Sequence, residues 1–106
     1  MKHGTFTLGT TPEATIRHAL AEACGNRAYP MELVGDDAKA LRKVVLRRLG
    51  DCRFLNSEFH WQGHRLVCAV DHDDMLVILR RLFDEGSDTA WSLRSGILQS
   101  LEIEEI

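Results

Sequence analysis

An α+β domain, with helices packed against a mixed β-sheet, is what three observations on the sequence predict. Three segments carry apolar residues at helical spacing between recognisable start and stop signals. A block of two alternating runs around a glycine lies between the second and third of them, and short alternating runs stand near either end.

Thr5-Phe6-Thr7-Leu8 reads as a short first strand. Gly9-Thr10-Thr11-Pro12-Glu13 then supplies a helix start, either as a capping box from Thr10 to Glu13 or with Thr11 as cap and Pro12 in the first helical position. Ile16, Ala19, Leu20 and Ala23 form the stripe of that helix, and Gly25-Asn26 its exit. Met31 to Val34 is a brief strand ended by Gly35, after which Asp36 or Asp37 caps a second helix. Leu41, Val44, Val45, Arg48 and Leu49 mark its packed side, Arg48 through its stem, and Gly50 is its stop.

Ser57 to Val70 reads as a hairpin turning at Gln62-Gly63, which would pair Trp61 with His64, Phe59 with Leu66 and Ser57 with Cys68. Phe59, Trp61, Leu66, Cys68 and Val70 then share a core-facing side. Glu58, His60 and Arg65 face the other way with Val67 and Ala69, so that this face too is expected to be partly covered. Asp71 or Asp73 caps a third helix running through Phe83, with Met75, Leu76, Leu79, Leu82 and Phe83 as its stripe, Arg80 and Arg81 near its negative end and Gly86 after it. Trp91 and Leu93 are expected to start a short strand, and Leu101 and Ile103 to alternate in a last one.

A β-grasp-like or a ferredoxin-like arrangement fits this order. From Asp36 to Ile103 the succession of helix, hairpin, helix and strand resembles that of a PB1 interaction domain, in element order alone. No PB1 motif accompanies it, so the resemblance implies no residue role.

A chain of 106 residues, 44% of them apolar, supports one core, and residues 1–106 are expected to form a single compact domain, as a monomer or a homodimer. The formal charge of -3 disfavours a generally basic nucleic-acid-binding protein. Cys24, Cys52 and Cys68 are isolated, without metal-ligand or redox spacing, and are expected to be reduced and partly buried. With no apolar signal region and no run approaching membrane-spanning length, the expected setting is the cytoplasm, with no membrane partner.

The charges are sorted along the chain. Lys39, Arg42, Lys43, Arg47, Arg48 and Arg53 crowd one stretch interrupted by Asp51, whereas Glu102, Glu104 and Glu105 stand together without a basic residue. Asp71-His72-Asp73-Asp74 offers ligand-type atoms, but helix capping and solvation explain those residues more simply. His60 and His64 are expected on opposite hairpin faces, and the glycines are scattered at turns rather than gathered in a phosphate loop. No nucleophile, base and orienting group share a recognisable spacing. No catalytic, metal or cofactor-binding residue is assigned.

The expected function is a small protein-interaction or regulatory module. Lys39, Arg42, Lys43 and Arg47, on the polar side of the second helix, would supply electrostatic contact, with Trp61 of the hairpin as an apolar anchor. The expected partner is an acidic protein surface or a second copy. The alternatives are a small metal-dependent enzyme joining His60 or His64 to Asp71–Asp74, and a nucleic-acid-associated accessory protein, the less favoured of the partner classes.

Overall fold

The computed structural model describes residues 3–46 and 57–106. The elements in chain order are β1 (Thr5–Phe6), α1 (Glu13–Cys24), β2 (Tyr29–Val34), α2 (Gly35–Leu46), β3 (Glu58–Gln62), β4 (Arg65–Val70), α3 (His72–Glu85), α4 (Asp88–Ser100) and β5 (Glu104–Glu105). The fold is α+β, and it pairs strands both ways. β2, β4 and β3 form an antiparallel sheet in that order, and β1 and β5 form a separate parallel pair. The expected Arg48, Leu49 and Gly50 end of the second helix, with Arg47, Asp51, Cys52 and Arg53, lies outside the described residues.

The sheet owes its inner face to strict alternation. Tyr29, Met31 and Leu33 of β2 and Leu66, Cys68 and Val70 of β4 turn toward the helices, while Pro30, Glu32 and Val34 stay exposed. α3 packs against α1, α2 and α4, so it is the central helix. Its Met75, Ile78, Leu79 and Leu82 meet Leu20 of α1, Leu41 and Val44 of α2 and Leu98 of α4 in one continuous core. Asp71 caps α3 by accepting the Asp73 N–H at 3.2 Å.

Several expectations are corrected. Asp36 and Asp37 lie within the first turn of α2 rather than capping it, and the last strand is Glu104–Glu105 rather than Leu101–Ile103. Pro12, not Thr10 or Thr11, is the N-cap of α1, and its carbonyl accepts the N–H groups of Thr15 at 3.1 Å and Ile16 at 3.2 Å. The threonine hydroxyls are engaged elsewhere: Thr10 donates to the Thr7 carbonyl at 2.7 Å, and Thr11 donates to Glu105. The hairpin turns at Gly63-His64, so Trp61 pairs with Leu66 and Phe59 with Cys68. Gly63 has φ +65 and His64 is not left-handed, the pattern of a type II′ turn, which needs glycine at its first central position. Because the register moves by two residues, each side chain keeps its expected face.

Trp61 nonetheless leaves the core, with 40% of its surface exposed, because it lies on β3, at the edge of the described sheet, one pair from the hairpin turn. Trp91 and Leu93 lie in a helix. Ser87 caps α4 by accepting the Ala90 N–H at 3.2 Å, and Ala90, Leu93, Ile97 and Leu98 bury one helical stripe.

α4 ends in a Schellman motif. The Glu102 N–H donates to the Gln99 carbonyl and the Ile103 N–H to that of Leu98, each at 2.9 Å, and Leu98 and Ile103 are both buried. Glu102 holds the left-handed position at φ +61, where a side chain costs about 1–2 kcal/mol. Part of the gain on removing it is offset by the greater freedom of glycine in the unfolded chain. Glu102→Gly is therefore expected to stabilise the protein by about 0.5–1 kcal/mol, read as a rise of a few degrees in Tm.

Candidate interaction site

The junction between β2 and α2 passes from strand to helix with no intervening loop, and the hairpin turn lies beside it. The Gly35 N–H donates to the His64 carbonyl at 3.3 Å, continuing the β2–β4 register by one pair. Lys39 follows Gly35 by four residues and Arg42 follows Lys39 by three, so all three lie on one side of α2. Trp61, one residue before the end of β3, approaches from the hairpin.

The result is a groove of about 340 Å³ lined by Gly35, Lys39, Arg42, Trp61, Gly63 and His64. The Arg42 guanidinium lies 5.4 Å from the centre of the Trp61 ring, a cation–π contact that leaves its N–H groups for other acceptors. Among the described residues, Lys39 forms no ion pair and no carboxylate lines the groove. Two cations and an aromatic edge therefore face a space without a compensating acid among the described residues.

Of the five residues expected to bind a partner, the structure gathers Lys39, Arg42 and Trp61. Lys43 points elsewhere, its ammonium 2.7 Å from the Glu85 carboxylate of α3, and Arg47 lies outside the described residues. His64 joins the site unforeseen, because the true turn is Gly63-His64. The glycine followed by a polar residue was the available signal.

The acidic run at the start of α3 disperses. The Asp73 carboxylate pairs with Arg17 at 2.5 Å and the His72 ring meets the Arg27 carbonyl at 3.0 Å. Buried Asp74 accepts the Ser57 hydroxyl, whose oxygen accepts the Asp71 N–H at 2.9 Å. His60 lies 3.6 Å from Glu58 on the outer sheet face. Among the described residues, no three His, Cys, Asp or Glu side chains converge on a point.

His18 pairs with Glu22 at 3.3 Å. Cys24 and Cys68 are free, and burial pushes the Cys68 thiol up to about 11, which keeps it protonated and unreactive.

The acidic residues at 102–105 do not form one surface. Glu104 is exposed, but Glu105 turns inward to a bidentate pair with Arg94 of α4 and also accepts the Gly9 N–H at 3.2 Å and the Thr11 hydroxyl. Burial alone would raise its carboxyl, but the hydrogen bonds from Arg94, Thr11 and Gly9 and the Arg94 charge hold it below the ordinary range. No described helix is long and apolar enough to cross a membrane. Comparisons with protein-family models, curated proteins and solved structures returned no significant match.

Proposed function

We propose that the protein is an interaction module that takes an acidic protein segment into the groove between α2 and the hairpin turn. The observation supporting this reading is the convergence of Lys39, Arg42 and Trp61 on a groove lined by no acid among the described residues. Carboxylates of the segment would meet the Lys39 ammonium and the free N–H edge of Arg42, and an apolar side chain would lie against the exposed edge of Trp61. The isolated cysteines favour a cytoplasmic setting.

The test is a titration with a Glu/Asp-rich peptide carrying one leucine, followed by calorimetry and by the NMR shifts of Lys39, Arg42, Trp61 and His64. Lys39→Gln with Arg42→Gln is expected to weaken binding at least about tenfold, or about 1.4 kcal/mol, with the fold intact. Unchanged affinity in that variant would sink the proposal. Stronger binding of a single-stranded oligonucleotide than of the peptide would assign the groove to phosphate instead.

A further inference from the structure

A second surface carries the opposite charge. Leu8, Trp91 and Ile106 are 41%, 40% and 78% exposed. They are neighbours: the Leu8 N–H donates to the Ile106 carbonyl at 2.8 Å, and Leu8 and Trp91 line one small cavity. Exposed Asp88 lies one helical turn before Trp91, and exposed Glu104 lies two residues before Ile106. Arg94, which lines the same cavity, is buried and occupied by Glu105. The patch is thus apolar at its centre and acidic at its rim, and it shares no residue with the groove.

We infer that the acidic segment fitting the groove belongs to a second copy of this chain, and that copies associate head to tail, groove to patch. The inference rests on the groove reading above. Charge dictates the geometry: groove against groove would oppose Lys39 and Arg42 to themselves, and patch against patch would oppose Asp88 and Glu104 to themselves. Only the heterologous contact joins unlike charges while burying Trp61 and Trp91 in one interface. The angle between the two surfaces then decides whether copies close into a ring or extend as a chain.

Sedimentation of the full chain over a concentration series tests this. Wild type is expected to self-associate, more weakly as salt rises. Lys39→Gln/Arg42→Gln and Asp88→Asn/Glu104→Gln are each expected to be monomeric alone, and an equimolar mixture to form a heterodimer that grows no further, because each variant keeps one intact surface. A wild type that stays monomeric, a groove variant that still self-associates, or a mixture that stays monomeric would each overturn it. The acidic peptide separates the two readings: if wild type is monomeric but binds the peptide, self-recognition fails and the groove stands, whereas failure of both removes both.

Discussion

Arg94→Met is expected to destabilise the protein by about 3–5 kcal/mol, the usual effect of removing one partner from a buried ion pair. The Arg94 and Glu105 side chains are only 8% and 4% exposed, so the carboxylate left behind would have neither its partner nor water. Arg94 also lies 5.2 Å from the centre of the Phe83 ring, a contact that methionine keeps only as packing. A Tm lower by at least about 12 °C should result.

Adding Glu105→Gln removes the stranded charge and is expected to recover at least about 1 kcal/mol, a non-additivity measurable by denaturant titration of all three variants. A loss under about 1 kcal/mol in the single variant would show the pair to be weak.

The same pair sets the response to acid. Glu105 has a folded-state pKa below its unfolded one, so the unfolded chain binds the proton more readily and stability rises with pH through that interval. The contribution is complete above about pH 5 and disappears as pH falls through the folded value. Arg94→Met should therefore show a flatter loss of stability below about pH 5 than wild type.

Gly9→Ala is expected to cost about 2–4 kcal/mol, from two sources. Its φ of +80 disfavours any side chain by about 1–2 kcal/mol, and an added Cβ would lie 2.7 Å from the Phe83 ring. Phe83 has little room to yield: its ring stacks on Trp91 with centroids 5.8 Å apart, and the Arg94 guanidinium lies over it. The two sources separate in a Phe83→Leu background, where the shorter side chain should leave only the backbone part of the penalty, read by chemical denaturation.

Periodicity made α1, α2 and α3 legible, and the alternation of the hairpin placed Phe59, Leu66, Cys68 and Val70 correctly on the core side, whereas Trp61 is exposed and His64 lies in the turn. α4 was not legible because Trp91 and Leu93 alternate like a strand, while Arg94, Ser95 and Gly96 interrupt the stripe that Ala90, Leu93, Ile97 and Leu98 complete. The Ser87-Asp88 start after Gly86 was the neglected signal.

The groove was half legible. Clustered basic residues named Lys39 and Arg42, but their meeting with Trp61 depends on where the hairpin turns, and that shifts by one residue from the expected Gln62-Gly63. Arg94 escaped notice for a different reason: a charge on an apolar stripe becomes conspicuous only once the helix is recognised, and its partner Glu105 read as part of an acidic run with no basic residue in it.

The parallel pairing of Thr5 with Glu104 has a kinetic consequence. Every other strand pair and every helix–helix contact among the described residues joins segments nearer in sequence, so β1 and β5 must close the largest of these loops. Two residues per strand return little for that closure, which makes the pair the natural last step of folding and the first region to open. Arg94 then acts as a latch, holding shut through Glu105 a seam that its own backbone ladder would hold only loosely.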